Sequence, residues 1–106
     1  MDLVVEIYKI VNLLPKEEMY VLSDQMKRAA ISIPSNIAEG QERNTTKDFI
    51  KFLCIAKGSK SELETQLMIC VRLNYIMKSQ METARGLLIE IGKMLNALIK
   101  KLSTED

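Results

Sequence analysis

Histidine and tryptophan are absent from this chain of 106 residues, cysteine and proline each occur twice, and glycine four times. Each shortage excludes something. Without histidine the commonest general base is gone, and with it the Ser–His and Cys–His nucleophile pairs and the Glu-x-x-His motif of di-iron carboxylate bundles. Cys54 and Cys70 match no zinc-ligand spacing. Both fall on one expected helix, separated by about 24 Å at 1.5 Å per residue, far beyond disulfide reach. Unpaired thiols on a chain without a signal-peptide pattern suggest a cytoplasmic protein. There is no Gly-rich phosphate loop, and no apolar run approaches the roughly 18 residues that cross a bilayer. No catalytic residue, cofactor, metal or small-molecule substrate is expected. Aromatics make up 5%, so the core must be aliphatic, with some of the seven methionines filling gaps. Fifteen basic against fourteen acidic side chains leave a net charge of +1, unlike the strongly basic balance of a general nucleic-acid binder.

What remains is helical. Hydrophobic residues make up 47%, enough for one packed domain over residues 1–106, which would bury roughly two-thirds of its unfolded surface. Leu3, Ile7, Ile10 and Leu14 form a first apolar stripe, which Pro15 ends. Pro15-Lys16-Glu17-Glu18 then reads as a helix start, with acids where the dipole favours them. The second stripe is Leu22, Met26, Ala29/Ala30, Ile33, Ile37 and Gly40. A capping box at Thr45-Thr46-Lys47-Asp48 opens a third stripe of Phe49, Leu53, Ala56, Ser59/Lys60, Leu63, Leu67, Cys70, Asn74 and Met77. A second box, Ser79-Gln80-Met81-Glu82, precedes Ala84, Leu88, Ile91, Leu95, Leu98 and Leu102. The expectation is an all-α, antiparallel up-down-up-down four-helix bundle with helices at about 2–14, 16–43, 46–77 and 80–103. The first helix is about half as long as the others, so one end of the bundle lacks a fourth wall.

Two polar runs interrupt the stripes. In Ser32-Ile33-Pro34-Ser35-Asn36-Ile37-Ala38-Glu39-Gly40, the proline removes a donor and crowds the Ala30 carbonyl, predicting a kink that the neighbouring polar side chains make bearable. In Gly58-Ser59-Lys60-Ser61-Glu62-Leu63-Glu64, the small residues permit close approach of helix 2. Folding back at Asn44-Thr45 sets Ala29 and Ala30 against Ser59 and Lys60, with Arg28 near Glu62 as an ion pair. Lys60 either snorkels outward or pairs with Glu39 or Glu64. An all-carboxylate metal site at Glu39 and Glu62 is far weaker than a salt-bridge role, and Glu62 and Glu64 diverge on the helix.

Ile55, Ile69, Leu73 and Ile76 form a second apolar flank on helix 3, which suggests a subunit interface. Arg43, Lys47 and Lys51 recur at i, i+4 spacing with Lys57 nearby, and Asp48 is the single acid between Arg43 and Lys60. This cluster is a candidate phosphate contact; the simpler reading is a solvated helix face.

The run Arg28-Ala29-Ala30-Ile31-Ser32-Ile33-Pro34-Ser35-Asn36-Ile37-Ala38-Glu39-Gly40, followed by Phe52-Leu53, Ile55-Ala56, Gly58-Ser59 and Glu62-Leu63-Glu64-Thr65-Gln66-Leu67, resembles the paired motifs of the 23S rRNA intervening-sequence protein family. That resemblance covers nearly the whole chain. It implies an antiparallel four-helix bundle assembled as a homopentamer, and a relation to the accessory variability determinant of diversity-generating retroelements, a basic pentamer that binds a reverse transcriptase and nucleic acid. The motif residues Arg28, Ser32, Pro34, Asn36, Glu39, Gly40, Gly58, Ser59, Glu62 and Glu64 take structural roles in this reading. Members of the family usually carry further residues ahead of the segment matching Leu3-Val4-Val5, so Met1 reads as an internal start. The functional expectation is a non-enzymatic, oligomeric scaffold or binding module for RNA or an RNA-bound protein. The alternative is a protein–protein adaptor with no nucleic-acid role.

Overall fold

The computed structural model describes residues 2–105 and, among them, four α-helices and no strand. The helices are α1 Asp2–Val11, α2 Leu22–Gln41, α3 Thr46–Arg72 and α4 Lys78–Glu105, with a 3-10 turn at Lys16–Glu18. Met1, read above as an internal start, lies outside the described residues. Helix α1 packs on α2 and α4, α2 on α3, and α3 on α4, with no close backbone approach across either diagonal among the described residues. That ring of neighbours with short connections is the antiparallel four-helix bundle expected from the stripes. It is 47 Å long and 24 × 19 Å across. Among the described residues no helix is long and apolar enough to cross a membrane.

The core divides in two along the bundle axis. The larger part contains Leu3, Ile7, Ile10, Met26, Ala30, Leu63, Leu67, Cys70, Ala84 and Leu88, drawn from all four helices. The smaller part, Leu53, Ala56 and Leu95, is walled by Phe49, Ile37, Ile91 and Leu98, without α1. The short first helix therefore closes only one end. Burying Leu63 or Leu88 completely stabilises by about 2 kcal/mol each.

Helix α1 stops at Val11 rather than 14, α2 at Gln41 rather than 43, and α4 runs to Glu105 rather than 103; three further boundaries move, each for a local reason. Helix α2 begins at Leu22 rather than near residue 16, because no side chain from Pro15 to Val21 is buried. Capping signals without a buried stripe hold only a single turn, here Lys16–Glu18 behind Pro15 at φ −59°, ψ 151°. Helix α3 stops at Arg72 rather than 77. Asn74 adopts φ 61°, the Asn74 N–H donates to the Val71 carbonyl and the Tyr75 N–H to the Cys70 carbonyl, which together form a Schellman stop. This reversal turns Ile76 inward to 5% exposure and leaves Met77 at 65%, the opposite of their expected faces. Helix α4 starts at Lys78, and Gln80 rather than Ser79 supplies its cap, accepting from the Met77 N–H at 2.7 Å. The box at α3 forms as expected, with the Asp48 N–H donating to Thr45 Oγ1 at 3.1 Å. Helix α2 runs unbroken through Pro34.

Candidate functional site

The Ser32–Gly40 run distributes its side chains over three sides of α2, and each side meets something different. Ser32, Asn36 and Gly40, spaced by four, face α3. Asn36 Nδ2 donates to both the carbonyl and the hydroxyl of Ser32 at 2.8 Å, and Ser32 Oγ lies 2.8 Å from Ser59 Oγ on α3. This half-buried seam joins the two family runs directly. At its end Gly40 admits the first turns of α3: a Cβ there would lie 2.8 Å from Phe49 Cδ1 and 3.0 Å from Phe52 Cβ. Gly40 thus provides the close approach that the small-residue argument assigned to Gly58. A Cβ at Gly58 would meet nothing within 4 Å.

The outward side is charged and paired locally. Glu39 accepts from Arg43 at 2.7 Å, and the Arg43 guanidinium lies 4.7 Å from the Phe52 ring centroid, a cation–π stack. Arg28 pairs with Asp24 at 3.1 Å, not with Glu62 as expected; one turn on the same helix is a shorter reach than the neighbouring helix. Glu62 instead accepts from Gln66 Nε2 at 3.2 Å, and Gln66 Oε1 is buried with no partner. Lys60 takes Glu64 of its two expected partners, at 3.1 Å, and lays its chain over Gly92 of α4. Glu39 and Glu62 thus have separate local partners, and the described residues contain no cluster of three or more metal-ligating side chains.

The basic residues form a smaller group than their spacing implied. Lys47 and Lys51 are exposed, one turn apart on the outer face of α3, and neither makes an ion pair among the described residues. Arg43 sits beside them but is engaged by Glu39 and Phe52. Lys57 is exposed too, yet lies six residues past Lys51, about 120° around the helix, and turns away from them. On the same outer face Ile55, Ile69 and Leu73 are 44%, 41% and 51% exposed. Ile76 does not belong with them, being buried against the core after the Schellman turn. Sequence reasoning missed two features here: the buried Gln66, and the hydrogen bond from the Tyr75 hydroxyl to Glu18 Oε2 at 2.6 Å, which ties the α3–α4 turn to the 3-10 turn. Neither carries a local sequence signal.

The paired runs and their seam agree with a wider comparison. The model of the 23S rRNA-intervening sequence protein family matches residues 1–97. The chain belongs to this family. A crystal structure of a protein of unknown function from the S23 ribosomal protein family of Bacteroides thetaiotaomicron is similar at 32% identity, with a TM-score of 0.85 and 93% of each chain covered. No curated protein matches the chain. Membership accounts for the extent of the likeness, which runs from α1 well into α4, and the Bacteroides protein is itself of unknown function.

Proposed function

We propose that the protein is a non-enzymatic, self-associating helical scaffold whose assembled form presents Lys47 and Lys51 to RNA. The observation that carries this reading is the outer face of α3. There Ile55, Ile69 and Leu73 stay substantially exposed on the same side of the helix as the two unpaired lysines. A protomer of net charge +1 is a weak polyanion ligand by itself, and repetition around an oligomer multiplies the local charge. The family description, an rRNA-intervening sequence protein, supports RNA as the ligand class. Five is the copy number that the resemblance of the paired motifs to this family implies. The unpaired thiols Cys54 and Cys70 support a reducing cytoplasm as the compartment.

Sedimentation tests the assembly. Wild-type protein should sediment as an oligomer, and Leu73→Arg should sediment as a monomer with unchanged far-ultraviolet circular dichroism. A monomeric wild type refutes the scaffold. For RNA, purification from the native host should yield nuclease-sensitive nucleic acid, and the Lys47→Glu/Lys51→Glu pair should abolish binding. Each lost phosphate contact would lower the salt slope by about 0.7 for single strands. Unchanged RNA binding in the double variant refutes the lysine assignment. The near-neutral charge favours the alternative adaptor reading, in which partner capture is indifferent to those lysines.

A further inference from the structure

The connection between α1 and α2 has the composition of a core segment and the exposure of a surface loop. From Leu13 to Val21 it contains no glycine, serine, asparagine or aspartate, the residues that commonly build such links, and Lys16, Glu17 and Glu18 are its only charged side chains. Leu13, Met19 and Val21 are roughly half exposed, and Tyr20 is 87% exposed. The segment is nonetheless held in shape. The Glu18 N–H donates to the Pro15 carbonyl, the Met19 N–H to that of Lys16 and the Val21 N–H to that of Glu18, while the Glu18 carboxylate accepts the Tyr75 hydroxyl. Tyr20 therefore stands on a fixed knob, at the end of the bundle where α3 turns into α4. An exposed apolar group of this size, rimmed by charge, marks a contact surface.

A cleft of about 570 Å³ opens between α3 and α4. Leu67, Met81 and Leu88 form its floor and belong to the core. Met68, 56% exposed, is on its rim next to Ile69 of the outer face of α3. No residue of α1, the 3-10 turn or α2 lines this cleft among the described residues, so the knob of the same chain does not fill it. We propose, resting on the self-association proposed above, that the knob of one copy seats Tyr20 in the α3–α4 cleft of the next copy. The chemistry of the two surfaces selects a second copy as the occupant. A tyrosine ring suits the apolar floor, and its hydroxyl suits the hydroxyls of Ser61 and Thr65 at the rim. In the cleft Lys78 makes no ion pair among the described residues, Arg85 reaches only Glu82 at 3.8 Å, and Glu64, the one acid, is held by Lys60. The charge left over is positive. Glu17 of the knob, exposed and also without an ion pair among the described residues, meets it, and the long chain of Lys16 leaves its own charge in solvent. Knob and cleft are different patches, so the contact is heterologous: copies run head to tail, into a ring where the rotation closes.

Sedimentation velocity of the full-length protein tests the contact. Tyr20→Ser and Met68→Glu change exposed side chains and should keep wild-type circular dichroism. Each should weaken self-association about tenfold or more, as the loss of a buried aromatic anchor or of its seat does. Mixed together, the two variants should form a heterodimer and nothing larger, because the Met68→Glu chain keeps its knob and the Tyr20→Ser chain keeps its cleft. Glu17→Lys and Lys78→Glu should each weaken assembly several-fold, and the two combined in one chain should recover most of it. The contact is overturned if wild type assembles and both Tyr20→Ser and Met68→Glu assemble equally well, an outcome that leaves the scaffold itself standing. It is also overturned if the mixture stays monomeric, since knob and cleft then do not meet each other. A monomeric wild type overturns the scaffold and this contact together.

Discussion

The four glycines give the sharpest test of the packing, because one substitution, to alanine, should act in different directions at different sites. At Gly40 the new Cβ would lie 2.8 Å from Phe49 Cδ1 and 3.0 Å from Phe52 Cβ. The phenyl ring can rotate, but Phe52 Cβ is fixed to the α3 backbone, so the end of α2 must move away. Overpacking of this kind costs about 1–3 kcal/mol. The helix-propensity gain of alanine over glycine, at most about 1 kcal/mol, is worth less in the final turn where Gly40 sits. A net loss of about 1–2 kcal/mol follows, lowering Tm by roughly 4–10 °C in a domain of this size. At Gly86 a Cβ meets nothing within 4 Å and no glycine has positive φ, so alanine should stabilise by about 0.5–1 kcal/mol. At Gly92 the Cβ meets only the end of Lys60, 2.9 Å from Cε. That flexible chain can swing aside at the expense of its pair with Glu64, which leaves the two effects near balance.

Urea unfolding followed at 222 nm measures all three, and unchanged m-values would confirm that native stability alone is being compared. If Gly40→Ala is as stable as wild type while Gly86→Ala is stabilised, the close approach of α2 to α3 is wrong. Gly58 adds a second reading. Within the protomer it is as open as Gly86, but it lies on the outer face with Ile55 and Ile69. Gly58→Ala should therefore raise Tm in dilute protein, and a simultaneous loss of self-association would place a second copy against that face.

Two further outcomes follow from the titratable groups. Burial, followed by the charge of Glu18, pushes the Cys70 thiol up to about 11, while Cys54 is exposed; at pH 8 iodoacetamide should label Cys54 in the native protein and Cys70 only after unfolding, and equal rates would refute the core assignment. The hydrogen bond to Glu18 raises the Tyr75 pKa above its ordinary 10.0, so its contribution to stability is complete below that value and is lost as pH rises through the folded-state pKa. Tyr75→Phe should lower Tm at neutral pH, and its difference from wild type should vanish in strong alkali.

The stripes were legible because a side chain every three or four residues is a property of the helix itself. Leu3, Ile7 and Ile10, or Leu63, Leu67 and Cys70, state which face is buried before any partner is known. What could not be read depended on partners. Pro15-Lys16-Glu17-Glu18 carries every local signal of a helix start, but only burial would have extended that turn, and none of Pro15 to Val21 is buried. Asn74 fits the α3 stripe by spacing, yet its left-handed conformation ends the helix and exchanges the fates of Ile76 and Met77. The hairpin register set Ala30 opposite Ser59, whereas Ser32 is the residue that bonds it. Gly58 makes no close contact because it lies on the outer face of α3, whereas Gly40 faces the first turns of that helix. The candidate site suffered most, since the grouping of the lysines depended on angles about α3.

The helices also differ in how their relative positions are fixed. Apolar contact between α2 and α3 tolerates sliding, because one methyl group can replace another at similar distance. The Asn36–Ser32–Ser59 bonds do not, since each requires its partner within about 3 Å. Sliding α3 would break this half-buried seam and strand polar groups without partners. Gly40 against Phe49 and Phe52 fixes the same pair at its other end. Helices α1 and α4 have no comparable tie: among the described residues neither makes a side-chain hydrogen bond or ion pair to another helix, and the cation of Lys27 lies over the Tyr8 ring of α1, 5.3 Å from its centroid. The paired motifs therefore fix the register of α2 on α3, whereas α1 and α4 are held against that pair by apolar packing, which specifies their buried faces but not a single position along the axis.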